Sequence, residues 1–277
     1  MTTGLKPVPA FLYGTAWKED ETRRLVRLAL EAGFRGIDTA NQRKHYHEVA
    51  VGEGIQDAVA AGVVTRDAIF IQTKFTHRAG QDQRLPYDPK APVATQVRQS
   101  CRSSLEHLGA KSLDSYVLHG PSVREGLAPE DLEAWRAMEE LHGEGLVHRL
   151  GVSNVTRDQL ALLCDRAKVR PTFVQNRCYA RTGWDRATRA LCKERGVVYQ
   201  GFSLLTANQR ELEGKAFRAI AARARLTPAQ VVFAFARRVG MLPLTGTSDP
   251  AHMREDLAVD PAALSPADVK AIEAISG

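Results

Sequence analysis

Ile69-Phe70-Ile71-Gln72-Thr73-Lys74, then residues 94–108, then Leu113-Asp114-Ser115-Tyr116-Val117-Leu118 read as strand, helix, strand. The first is a short run rich in β-branched and aromatic residues, and the third is a short, largely apolar run; both suit a buried strand. The middle segment places Val97, Cys101, Leu105 and Leu108 at steps of three and four, along one helix face. Working outward, strands are predicted over 9–15, 34–38, 147–152, 173–176, 197–202 and 240–244. Helices are predicted over 22–32, 48–60, 129–142, 157–167, 184–195, 227–238 and 266–274. Gly196 ends one helix, and Gly143 or Gly145 ends another. Pro228 falls in the first turn of a third, where its missing N–H costs nothing. Residues 77–92, with Gly80, Pro86, Pro89 and Pro92, read as a loop beyond the third strand. Eight strand–helix units result. Their alternation predicts a parallel sheet with helical crossovers. Eight units without a composition break predict a closed (β/α)8 TIM barrel, one domain over 1–277. No G-x-G-x-x-G follows the first strand, which argues against an open dinucleotide-binding sheet.

Composition narrows the class. Of 277 residues, 44% are hydrophobic and 25% charged, the balance of a water-soluble globular chain. No apolar run approaches the roughly 20 residues that cross a bilayer, and the opening residues carry no apolar signal core. A cytoplasmic protein with no membrane partner is expected. Cys101, Cys164, Cys178 and Cys192 form no C-x-x-C pair and show no metal-ligand spacing. They read as reduced, buried thiols, with no metal expected. The net charge of +6 raises the question of nucleic acid. Basic residues are interleaved with acids, as in Lys18-Glu19-Asp20-Glu21-Thr22-Arg23-Arg24, and no basic run carries aromatic platforms. The excess is read as solvated surface that helps attract a phosphorylated ligand, with no nucleic-acid partner.

Four ionisable residues fall near the ends of three consecutive predicted strands: Asp38 and Tyr46, Lys74, and His119. In a closed barrel, reactive groups collect at the strand C-terminal ends, so all four are expected at one mouth. A tyrosine with a pKa of about 10 is a poor acid at neutral pH. A nearby cation stabilises its phenolate. Lys74 is suited to be that cation, Asp38 to hold Lys74, and His119 to hydrogen-bond the phenol. A buried ammonium needs a partner in any case, so Asp38–Lys74 alone would be consistent with a structural ion pair. His119 alone would be consistent with a core histidine, and Tyr46 with a surface loop.

Gly33-Phe34-Arg35-Gly36-Ile37-Asp38-Thr39-Ala40, Tyr46 and Glu48-Val49-Ala50-Val51-Gly52 together resemble the aldo-keto reductase signature. So do Ile71-Gln72-Thr73-Lys74, Leu118-His119-Gly120-Pro121, Gly151-Val152-Ser153-Asn154, Val174-Gln175-Asn176 and Leu226-Thr227-Pro228-Ala229-Gln230-Val231. The matches run in family order over nearly the whole chain. The resemblance implies an NAD(P)H-dependent reductase of aldehydes or small ketones. It implies Asp38, Tyr46, Lys74 and His119 as the catalytic tetrad, with Tyr46 protonating the carbonyl oxygen as hydride arrives from the nicotinamide. Tyr46 stands further beyond Asp38 than in the family pattern, and Arg43 occupies the usual spacing. His45 and His47 flank Tyr46 as substitutes or substrate contacts.

The same resemblance implies the cofactor residues. Gly14, Thr15 and Ala16, at the end of the first strand, and Asp38 are cofactor-binding positions. Ser153, Asn154 and Gln175 hold the nicotinamide carboxamide, and Phe202 stacks on the nicotinamide ring. Ser203 and Leu205 wrap the pyrophosphate. Gly246, Thr247, Ser248 and His252 stand where a phosphate-clamping Lys and Arg are often found, with Arg254 and Arg210 as further cations. Glu255 and Asp256 look like adenine-contacting positions. NADP(H) is the expected cofactor, with NAD(H) as the alternative. Trp17 is expected to line the substrate mouth with Tyr46 and His119; Phe75, His77 and Trp184 are weaker candidates. The chain closes soon after 266–274, so an open pocket accepting many small-molecule carbonyl substrates, on a monomer, is expected. The altered loop and missing phosphate cations leave one alternative, a cofactor-binding regulatory or redox-sensing barrel with slow turnover.

Overall fold

The computed structural model describes residues 5–275; residues 1–4 and 276–277, on which part of the expectations about the two ends falls, lie outside them. Eight parallel strands follow one another around a closed cylinder in chain order. They are β1 Leu12–Gly14, β2 Gly36–Asp38, β3 Phe70–Phe75, β4 Ser115–Leu118, β5 Leu150–Ser153, β6 Phe173–Arg177, β7 Val198–Phe202 and β8 Leu242–Thr245. β1 pairs with both β2 and β8, so no sheet edge is left free. The helices are α1 Thr22–Ala32, α2 Glu48–Ala60, α3 Val93–His107, α4 Pro129–Gly143, α5 Arg157–Arg166, α6 Arg186–Arg195, α7 Gln209–Leu212, α8 Lys215–Ala224, α9 Pro228–Arg238, α10 Pro250–Leu257 and α11 Pro266–Glu273. None is long and apolar enough to cross a membrane among the described residues.

Strand alternation divides the core in two. Tyr13, Ile37, Ile71, Tyr116, Val152, Val174 and Tyr199 face outward into the large cluster shared with the helices. Leu12, Phe70, Phe173, Leu242 and Leu244 form a separate, smaller cluster inside the cylinder. Above that apolar floor the inward positions turn polar: Asp38, Gln72, Lys74, Ser115, Gln175 and Gln200 are all buried. This change, part-way up the barrel, is where the site begins.

Helix ends follow local chemistry. Thr156, Thr227 and Ser265 each accept from the backbone N–H three residues on, in capping boxes that start α5, α9 and α11. Gly33 and Gly196 take left-handed conformations that stop α1 and α6. α4 runs through Gly143, with Glu144 as its cap and Gly145 left-handed beyond it. α6 starts at Arg186 rather than Trp184, because Trp184 and Asp185 have positive φ. The expectations contained no α7, α8 or α10. α7 is a single turn and α10 buries one apolar residue, Met253, whereas α8 buries Phe217, Ile220 and Ala221 on a face the sequence reading passed over.

Candidate active site

Lys74 has no exposed surface, and its ammonium spends three donors: on Asp38 Oδ1 at 2.8 Å, Asp38 Oδ2 at 2.7 Å and the Thr39 carbonyl at 2.7 Å. Strand pairing makes this geometric: Asp38 is the Cα partner of Gln72, so Lys74, two residues on and facing the same side, rises just above the carboxylate. Burial pulls the Lys74 pKa down and Asp38 opposes it.

Tyr46 reaches the same place from the loop after β2. The loop residues beyond Asp38 form a tight turn, in which the backbone N–H groups of His45 and Tyr46 both donate to the Gln42 carbonyl. Gln42 is tied to Gly80, and Asn41 to α3, so the turn is anchored on both sides. The Tyr46 ring lies with its centroid 5.3 Å from Lys74 Nζ and 6.0 Å from the His119 ring. Its hydroxyl makes no hydrogen bond to a described residue. Burial, with the Asp38 charge second, pushes the phenol above its ordinary value. The Lys74 ammonium, already matched by Asp38, does not lower it as the sequence led us to expect. Burial, with Lys74 and His45 nearby, drives His119 down to about 3, so its imidazole is neutral. Its Nδ1 shares a hydrogen with Thr76 Oγ1 at 2.7 Å, leaving Nε2 without a described partner.

Tyr46, His119 and Asp38 border a cavity of about 890 Å³ at the C-terminal end of the strands. Around its wall stand Gly14 at the end of β1 with Ala16 and Trp17 beyond it, Ser153 at the end of β5 with Asn154 beyond it, and Gln175 in β6. Phe202, Ser203 and Leu205 follow from β7, and Gly246 and Thr247 from β8. Trp17, Asn154 and Ser203, all on the wall, hold positive φ of 61°, 53° and 55°. Trp17 is 69% exposed and stacks on His45 with centroids 4.0 Å apart.

A profile of the Aldo/keto reductase family matches residues 10–276. The chain belongs to the aldo-keto reductase family. It is therefore an oxidoreductase that acts on carbonyl groups. An aldo-keto reductase of Mycobacterium avium is 31% identical over 258 residues, 93% of this chain and 82% of the relative. The NAD/NADP-dependent indole-3-acetaldehyde reductase of Schizosaccharomyces pombe is 28% identical over 276 residues, 95% of this chain and 89% of the relative. The solved structure of a Bombyx mori aldo-keto reductase in complex with NADP shares the fold. Its TM-score is 0.80 at 24% identity, covering 97% of this chain and 89% of that one.

Several expected site residues of this aldo-keto reductase stand outside the cavity. Thr15 is buried, and its hydroxyl donates to the Asp38 carbonyl. Asp256 is turned inward, 3% exposed and accepting from Thr245 Oγ1 at 2.8 Å; its carboxylate is not presented to a ligand. Ser248, His252 and Glu255 are exposed at or near α10 and do not line the cavity. Phe75 and Trp184 are core residues, the latter donating to the Ile272 carbonyl, and His77 meets Asp131 at 3.1 Å. None of the three lines the cavity, so their expected substrate role does not hold. His45 borders it and His47 does not. Arg177, Tyr179 and Thr206 line it unannounced. Arg177 was legible in principle: it lies two residues beyond Gln175 and so faces the same way.

Proposed function

We propose that this aldo-keto reductase catalyses NADP(H)-dependent reduction of aldehydes and small ketones to alcohols, with Tyr46 as proton donor and NAD(H) as the rival cofactor. What carries this reading is one cavity wall on which Tyr46 and a neutral His119 stand over the buried Lys74–Asp38 pair. The residues present fit a dinucleotide. Gln175 keeps a carbonyl oxygen without a described partner, Ser153 and Asn154 border the same space, and Phe202 offers an aromatic face. Lys18 donates its ammonium to the Gly246 carbonyl, bringing a cation to the position where the family often has a lysine. That favours a phosphorylated adenosine. When bound, the nicotinamide supplies hydride.

The chain's own residues do the rest. Tyr46 gives its proton to the carbonyl oxygen as negative charge develops there. His119, tethered at Nδ1, leaves Nε2 to hold that oxygen. Lys74 stabilises the phenolate left on Tyr46, and Asp38 fixes where the ammonium sits. Positioned proton transfer of this kind contributes about 10²–10⁴-fold. One observation favours the slow regulatory barrel instead: all three Lys74 donors are spent, and the phenol is pushed up rather than down.

NADPH oxidation with a panel of aldehydes, on wild type and Tyr46→Phe, separates these readings. The expected result is turnover of several aldehydes, and a loss of at least about 10²-fold in kcat in the variant. Intact turnover in Tyr46→Phe rejects the phenol and promotes His45. NADPH binding without turnover in wild type supports the regulatory barrel. A tenfold or larger kcat/KM preference for NADH removes NADP(H), and reduction of one aldehyde alone removes the open, broad pocket.

A further inference from the structure

Between the apolar floor and the cavity lies a layer of carboxamides that proton transfer does not use. Gln72, Gln175 and Gln200 are each buried, on β3, β6 and β7. A buried amide is costly unless bonded, so such a layer is stable only as a connected network. Gln72 and Gln200 form a reciprocal pair, with Gln72 Nε2 to Gln200 Oε1 at 2.8 Å and Gln200 Nε2 to Gln72 Oε1 at 3.0 Å. Ser115 Oγ donates to Gln72 Oε1 at 2.9 Å. Gln72 Nε2 also donates to Asp38 Oδ1 at 2.7 Å. Gln175 Nε2 donates to the same Asp38 oxygen at 3.0 Å and to Gln200 Oε1 at 2.9 Å.

The polarity of this network is dictated from one end. A carboxylate only accepts, so the amide atoms facing Asp38 are nitrogens. That orients Gln72, Gln72 orients Gln200, and the Gln200 oxygen together with Asp38 orients Gln175. Both N–H groups of Gln175 are thereby committed, and its Oε1 is left for the cavity it borders. We propose that Gln72 and Gln200 are positioning residues that lock Gln175 with its carbonyl oxygen toward the cavity, making it an acceptor for the N–H₂ of the nicotinamide carboxamide. This rests on the dinucleotide reading above. Without the pair, Asp38 alone holds the Gln175 nitrogen, and the amide loses one of the two bonds that aim its carbonyl oxygen.

The test uses NADPH and its reduced 3-acetylpyridine analogue, which carries a ketone in place of the carboxamide and so has no N–H₂. Calorimetric Kd values for both are measured on wild type, Gln200→Met and Gln72→Met. Wild type is expected to bind NADPH about five- to tenfold tighter than the analogue, the value of one well-placed hydrogen bond. In either variant the gap narrows by at least about twofold, while the analogue's own Kd stays within about twofold of wild type. Equal weakening of both ligands in the variants would mean a merely structural role and would overturn the assignment. So would an undiminished gap. If neither variant folds, wild type can still overturn the assignment, because binding both ligands equally would show that no acceptor is aimed at the amide. Failure of wild type to bind NADPH at all is a different result, since it removes the dinucleotide reading itself.

Discussion

Lys74 and Asp38 are the residues on which the site stands, and both are buried. Removing one partner leaves the other charge without compensation, which is far costlier than removing the pair. Lys74→Met is therefore expected to cost about 3–5 kcal/mol in urea unfolding, and adding Asp38→Asn to recover part of that. A double variant no more stable than the single would show that the ion pair is not what the ammonium contributes. Asp256 makes the opposite case. Burial pushes its carboxyl up to about 6, against an ordinary value of 3.8, and its Thr245 partner only partly offsets this. A folded pKa above the unfolded one gives a contribution that is full at low pH and lost as pH rises through about 6. Asp256→Asn cannot ionise and should gain about 1–3 kcal/mol near pH 8 and nothing near pH 4. Equal unfolding midpoints at both pH values would refute it.

Helix α2 shows how an element is set by its smallest residues. A Cβ at Gly52 would stand 1.9 Å from the His107 carbonyl at the end of α3. One at Gly54 would stand 2.6 Å from the Arg23 carbonyl in α1. These glycines let three neighbouring helices approach backbone to backbone. Gly52→Ala should destabilise by about 1–3 kcal/mol, with the denaturant slope unchanged. An alanine variant as stable as wild type would mean that α2 and α3 have room to part. α1 and α2 have the bounds that periodicity predicts, since a helix registers its own buried face, and Gly33 stops α1. Strands were less legible at their ends. The first and last begin at Leu12 and Leu242, later than the apolar runs suggest, because membership of a strand needs a hydrogen-bonded neighbour. Leu113 shows the limit: it meets Val147 in an isolated bridge without joining β4.

At the scale of the whole molecule, the mouth is electropositive. Among the described residues lining the cavity, Asp38 is the one carboxylate and it is ion-paired, while Arg177 makes no salt bridge. The net charge of +6 adds to that field. Raising NaCl from about 50 to about 500 mM should raise the KM for the dinucleotide several-fold and leave kcat nearly unchanged. A salt-independent KM would show that the field plays no part in capture.

Sequence alone determined the alternation of strand and helix, the barrel it implies and the gathering of Asp38, Tyr46, Lys74 and His119 at one end of the strands. These follow from period, spacing and caps, which act over a few residues. It did not determine that Asp256 turns inward, that Lys74 exhausts its donors, or that three glutamines meet beneath the cavity. Gln72 and Gln200 are 128 positions apart, and their bond depends on the stagger with which eight strands close. Closure is a property of all the strands together, so only the folded cylinder could decide which distant side chains share its interior.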